Sequence, residues 1–444
     1  MSTFILTILF TFFVGGIILY AKKVDKDLFS PTIVALVLIF ITNVPYLIVI
    51  SFDYSFIDYL VRWRISQNDL PYYILFYLFI LSIGIIGLLL GIKSNLSYYI
   101  SSRIPVILSS FGKRNYISAF LLITIGVIAY VYFIYSVGGW NVWFENLYRR
   151  TSLIAGNNYL MSLLGLLNVG VYIYIASFKE NKNLSKYVIL FALIISVSLI
   201  LTSLGGRKPT LQFIILCFLV WHFSVKKFRR IPLKAWLMIP LALLYILFIP
   251  SLRSEDGFRS MMMNPSEFFF NGIEEIMNVA NHLSYIDHYL LILNHFTLEK
   301  LWWGKSYIDL IYAPLPSSIY PDKPPVDDGV YLRTIANGMD VTPSMPFREL
   351  FQSSWPPETV GIMYMNFWIP GVFLGMFILG LIYNISYQYM RKSDYTVFSI
   401  IMYGTIVLNF QLSNLRIVQT LTDIILIIIF VGLASYITKI FKKN

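Results

Sequence analysis

Eleven stretches of this chain are apolar runs long enough to cross a bilayer, near residues 3–20, 31–50, 71–92, 116–137, 158–178, 187–204, 209–225, 233–250, 359–389, 395–413 and 417–438. About 20 apolar residues cross the hydrocarbon as a helix, and backbone groups without water must be satisfied inside the spanning structure. The chain is therefore expected to fold as an all-α polytopic membrane protein with about 11 transmembrane helices. With 57% hydrophobic and 13% charged residues, it lies outside soluble domains, which carry about 25% charged residues. The one cysteine, Cys217, sits inside an apolar run, which excludes a disulfide framework. The first run, Met1 to Tyr20, has no basic stretch before it and no small-residue cleavage site, and Lys22, Lys23 and Lys26 follow it. It reads as a retained span with the N-terminus outside.

Charge distribution sets the expected topology. The net charge of +11 raises a nucleic-acid reading, but twenty of the 34 Lys and Arg lie in the short connectors on the Lys22 side. Only four acidic residues accompany them there: Asp25, Asp27, Glu180 and Asp394. The basic bias marks that side as cytoplasmic. The C-terminus falls on the same side, in a cytoplasmic membrane of bacterial type. A bilayer partner accounts for the charge, and no nucleic acid is expected.

The chain then divides into residues 1–250 with eight spans, an extracytoplasmic loop at 251–358, and residues 359–444 with three spans. The loop holds ten of the 19 prolines and three of the four histidines. Loops of that length are functional or disordered, and Trp302, Trp303, Tyr307, Tyr312, Tyr320, Tyr331 and Trp355 argue for a folded cap. The outer connectors carry arginine at similar depth: Arg149 and Arg150, then Arg207 and Lys208 beside Gly205–Gly206, then Arg253 and Arg259, and finally Arg416. Single arginines at helix ends snorkel to headgroups. Several at one depth suit an anion, and arginine binds diphosphate bidentately without a metal.

Within the loop, Pro265 to Lys300 reads as one helix with apolar Phe269, Ile273, Ile276, Ala280, Leu283 and Leu290 at helical spacing. Its opposite stripe is Asn271, Glu274, Asn278, Asn281, Tyr285 and His288, with His295 beyond and Glu275, His282 and Asp287 flanking it. These side chains hydrogen-bond sugars, and a solvated helix face is the plainer reading. Asp327 and Asp328 are adjacent carboxylates, but consecutive side chains diverge and no third ligand has diagnostic spacing, so no metal or other cofactor is expected.

The order of these features resembles the Wzy-type O-antigen polymerases, the oligosaccharide repeat unit polymerases. The resemblance rests on Gly205–Gly206–Arg207, Arg253, the proline-rich run with Lys323 and Pro324, the small-residue re-entrant segment Glu358 to Gly380, and Arg416 before the last span. It covers roughly residues 200–430, and the arginine-to-glycine spacing described for some members is missing after Arg150 and Arg253. The resemblance implies a GT-C-like membrane glycosyltransferase. It would move a growing glycan from undecaprenyl diphosphate to the non-reducing end of a lipid-linked repeat unit, beside a chain-length regulator protein.

Cleavage at a diphosphate leaves negative charge that preorganised cations stabilise. Arg207, Arg253 and Arg416 are the candidates, supported by Lys208 and Arg259. A base near the acceptor hydroxyl would be His288 or Glu274, then His282; one carboxylate, one histidine or no protein base all stay open. Asn281, Tyr285, Lys323 and Arg150 complete the substrate-binding set, and Trp302, Trp303 and Trp355 offer stacking faces. An O-antigen ligase or a lipid-linked oligosaccharide flippase are the rival readings, the flippase opposed by the long outer loop.

Overall fold

A computed structural model describes residues 2–25, 27–107, 115–154, 157–179, 184–228, 238–252, 254, 257–274, 278–316 and 318–443, and among them there is no β-strand. The helices in chain order are α1 (Thr3–Asp25), α2 (Pro31–Phe52), α3 (Leu70–Lys93), α4 (Tyr116–Ser136), α5 (Tyr159–Ala176) and α6 (Leu184–Ser203). They continue with α7 (Arg207–Ser224), α8 (Met238–Leu252), α9 (Pro265–Glu274), α10 (Asn278–Leu283), α11 (Ile286–His295) and α12 (Asp328–Ala336). The last three are α13 (Glu358–Lys392), α14 (Val397–Asn409) and α15 (Asn414–Lys443). Among the described residues eight, α1 to α6, α13 and α15, are long and apolar enough to cross a membrane. The other three expected runs are also helical: α7 has 18 residues but opens on Arg207 and Lys208, α14 has 13, and α8 is described from Met238 to Leu252, with residues 229–237 before it outside the described residues.

The chain forms two compact units. The first comprises Met1–Ile104, Ala280–Gln388 and Asn409–Thr422. The second comprises Pro105–Val279, Tyr389–Leu408 and Asp423–Asn444. In the second unit α4 and α5 pack antiparallel through Gly126 against Leu167 and Gly170 against Ala119 and Ile123. Close approach of small residues is how helices associate where lipid is as apolar as they are.

In the first unit the same device joins α3 to α13. A Cβ on Gly87 would strike the Phe373 carbonyl, one on Gly91 the Phe377 carbonyl, and one on Gly380 the Leu88 carbonyl. Numbers rise together along both helices, so the two run parallel, as they must if each follows an outer connector. The register also sets depth: Gly84 faces Val372 and Met376, which puts Ile369 beside the middle of α3.

Two expected helices are broken. The run from Pro265 to Lys300 is interrupted at Ser284–Tyr285, between α10 and α11, while residues 275–277 between α9 and α10 lie outside the described residues. Ser284 Oγ accepts from the Ile286 amide at 3.1 Å at this interruption, so the polar stripe does not continue from Asn271 to His288. The run at 359–389 breaks inside α13, where Phe367 and Trp368 leave helical geometry and Trp368 reaches φ 57°. Pro370 has no N–H to return to the Asn366 carbonyl. The freed carbonyls of Met365 and Asn366 accept instead from the amides of Trp302 and Trp303 at 3.0 and 3.1 Å. Beyond the break the chain folds back: a Cβ on Gly371 would meet the Met363 carbonyl at 2.5 Å. Residues eight apart in a straight helix are about 12 Å apart. The expected single span is thus a short half-helix, residues 358–366, laid against the start of the spanning segment.

Candidate functional site

The half-helix brings Glu358 into the first unit's interior, where it meets Arg416 of α15. Arg416 donates to Glu358 Oε1 from Nη2 at 2.8 Å and from Nε at 3.2 Å, and its Nη1 donates to Gln419 Oε1 at 3.2 Å. The two side chains are 14% and 12% exposed. Desolvating such a pair costs several kcal/mol per ion before their attraction is counted, so an apolar pair would serve packing as well. Glu358 also sits at φ 46°, a region that strains any non-glycine residue. Strain and a recessed charge pair on one residue mark it as functional.

Asp327 stands beside this pair. Its Oδ1 accepts from the Gly329 amide at 2.9 Å and starts α12. Burial pushes its carboxyl up, against the opposing pull of Ser354, the Gly329 amide and Arg416. Glu358 is thus paired with a guanidinium, while the neighbouring Asp327 carboxyl is raised by burial. Asp328 points elsewhere: its Oδ2 accepts from the Asn414 amide at 2.7 Å, and burial raises it further. Among the described residues no group of three metal-ligating side chains forms.

His288 closes the other flank. Its Nδ1 lies 3.1 Å from the Pro356 carbonyl. A carbonyl only accepts, so Nδ1 carries the hydrogen and Nε2 presents a lone pair. Burial lowers the ring to about 4, with Arg333 adding to the effect and the Pro356 contact opposing it, so the imidazole is neutral at pH 7. The ring stacks on Trp355 at 4.8 Å, with Tyr285 5.6 Å away. The Arg333 guanidinium covers Trp355 at 4.9 Å and Phe351 at 5.3 Å.

Asp287 anchors α11 to the bundle. Tyr46 Oη lies 2.9 Å from Asp287 Oδ1, 3.0 Å from Oδ2 and 2.9 Å from the Phe56 carbonyl. One hydroxyl hydrogen serves only one of these acceptors. A protonated Asp287 donating to Tyr46, which donates on to Phe56, satisfies the set, while the Asp58 amide donates to Oδ2 at 3.1 Å. Burial raises Asp287 to about 7, against its hydrogen bonds from Tyr46 and Asp58.

The first unit therefore gathers Arg416, His288 and Tyr285 of the expected residues. Asn281 is half-buried in α10, and Lys323 Nζ donates to the Leu315 carbonyl at 2.7 Å, tying its own loop. The second unit gathers a different set. Arg150 Nη1 donates to Leu204 O at 3.2 Å and sits 3.4 Å from where a Gly206 Cβ would be. Beside it Arg207 Nη1 donates to Ile246 O at 3.3 Å, and Lys208 acts electrostatically on Asp423. Arg259 is exposed in a short helix, Gly257–Met263. Arg253 and the side chains of Glu274 and His282 lie outside the described residues.

Glu358, Asp327 as an acid–base group, and Arg333 were missed by sequence reasoning. A lone acid between Pro356–Pro357 and an apolar run was the available signal for Glu358. Searches of family models, curated proteins and solved structures return no match to this chain.

Proposed function

We propose that the protein is a membrane glycosyltransferase that polymerises lipid-linked oligosaccharide repeat units, as the resemblance to the Wzy-type polymerases implies, in the cytoplasmic membrane of a bacterium with eleven crossings. The observation that carries this reading is the buried Arg416–Glu358 pair with Asp327 beside it, in the unit that also holds His288 stacked on Trp355 under Arg333.

In this mechanism the acceptor hydroxyl donates its one hydrogen to the Asp327 carboxylate and loses its proton there. Its oxygen forms the new bond to the anomeric carbon as the bond from that carbon to the diphosphate oxygen breaks. The electron pair leaves on the diphosphate, which the remaining guanidinium hydrogens of Arg416 receive. Glu358 holds the guanidinium in place. Trp355, flanked by His288 and Arg333, offers a sugar-binding face. Polymerisation uses two diphosphate lipids, and the basic corner of Arg150, Arg207 and Lys208 in the second unit is assigned to an anionic headgroup.

The broken helix α13 also favours a second reading, because discontinuous helices at mid-depth build transporter sites. Under it the protein is a lipid-linked oligosaccharide flippase. A gel of surface polysaccharide separates the two. Cells lacking the gene, or carrying Arg416→Ala, are expected to keep single repeats and lose the ladder of longer chains; loss of the single-repeat band as well favours the flippase.

A further inference from the structure

The segment between the half-helix and α12 has its polarity inverted. In the 3₁₀ helix Lys305–Tyr312, Ser306 and Asp309 are both 0% exposed, while Ile308 is 48% and Ile311 70% exposed. Trp303 just before it is 65% exposed and Ile319 just after it is 74% exposed. The buried polar groups are satisfied inward. Asp309 accepts from Tyr331 Oη at 2.8 Å and from Ser344 Oγ at 2.8 Å, and Ser306 shares hydrogen bonds with the Asn366 amide at 2.9 and 3.2 Å. A surface segment in water turns these two sets the other way; a segment in hydrocarbon turns them as seen.

Its position agrees. The amides of Trp302, Trp303 and Gly304 fill the break of α13, and a Cβ on Gly304 would lie 3.2 Å from the Phe367 ring. Leu374 and Ile378 are exposed along α13 beyond the break, as are Phe367 at the break and Trp303 beside Gly304. Irregular backbone at membrane depth is tolerated where protein satisfies its polar groups, as the Asn366 carbonyl and side chain do here.

We propose that the segment from Trp303 to Tyr320 is embedded in the bilayer, with Ile308, Ile311 and Ile319 packed against lipid acyl chains. This part of the long loop is then a re-entrant ledge, not a cap in water, with Lys305 extending its ammonium toward the headgroups.

The test uses the full chain in phosphatidylethanolamine and phosphatidylglycerol vesicles. Cys217 is buried, and Cys217→Ala removes it from labelling. Single cysteines at Ile311→Cys and Ile319→Cys take an environment-sensitive fluorophore, with Leu374→Cys as the lipid-facing reference and Glu299→Cys as the aqueous one. Brominated acyl chains are expected to quench the labels at 311 and 319 about as strongly as the label at 374, and iodide to quench them several-fold less than the label at 299. Quenching by iodide alone overturns the proposal in favour of a water-facing surface. Quenching by neither overturns it in favour of a covering protein.

Discussion

At the scale of single residues, the argument turns on which charges the fold leaves with work to do. Arg416 and Glu358 are 58 residues apart yet share a close, buried contact. Removing one partner strands the other, at about 3–5 kcal/mol. Glu358→Gln and Arg416→Gln are each expected to lower the melting temperature of the purified protein by several degrees and to abolish polymer. The double variant should lose less stability than the two singles summed, the signature of direct coupling. Additive losses in a thermal-shift series would mean that the pair is not the unit described. Asp287 and His288 give a pH dependence of opposite sign. Asp287 is raised to about 7 in the fold, so its contribution is full below the unfolded value near 4 and is lost as pH rises through about 7. His288 is lowered to about 4, so its contribution is full above about 6.5 and is lost as pH falls through about 4. Between about pH 4 and 6.5 the two slopes oppose and largely cancel, so melting temperature is expected to change little there, and Asp287→Asn, which removes the falling contribution, should leave a rise with pH up to about 6.5. An unchanged slope in that variant would assign the dependence to another group.

At the scale of elements, the break in α13 organises the first unit, and Asn366 holds it. Its Oδ1 accepts from the Gly304 amide at 3.0 Å, and its Nδ2 donates to Ile362 O and Ser306 Oγ, both at 2.9 Å. Asn366→Ala leaves buried groups unpaired and is expected to cost about 2–4 kcal/mol, measured as a lowered unfolding midpoint in detergent. Asn366→Asp, which keeps the acceptor, should recover part of that loss. The break was written in the sequence as Pro370 inside an apolar run, a signal that ends or kinks helices. Hydropathy alone reads straight through it, because both sides are apolar. The polar stripe failed for the converse reason. Its spacing is helical on paper, but the helix is interrupted at Ser284–Tyr285, which resets the register, and such an interruption is not visible in the period alone. Gly91→Leu tests the α3 packing: the Phe377 carbonyl occupies the place of its Cβ, and poor expression or a lost native fold is expected.

At the scale of the whole molecule, long apolar runs were legible because about 20 such residues have few alternatives to a membrane helix. Eight of the eleven are long and apolar enough for that assignment. Of the others, α7 opens on the cations Arg207 and Lys208 and α14 has only 13 residues. The site was legible only in part. Arg416 stood out as an arginine at an outer turn and His288 as part of the loop's polar stripe, whereas the meeting of Glu358 with Arg416 is a long-range fact that local pattern does not carry. The proposed eleven crossings would put the termini on opposite sides, so single cysteines at Ser2 and Lys443 in the Cys217→Ala background should react with an impermeant maleimide from opposite faces. Reaction from the same face would remove one crossing.

The central claim is that Asp327, beside the Arg416–Glu358 pair, takes the acceptor proton in a sugar-transfer reaction. The most direct measurement incubates the purified protein in nanodiscs with lipid-linked repeat units extracted from cells lacking the gene. The wild-type chain is expected to produce a ladder of glycans on polyprenyl diphosphate, and Asp327→Asn to bind the substrate but extend it at least 100-fold more slowly. A ladder from Asp327→Asn at the wild-type rate, or no extension by the wild-type protein, would contradict the account.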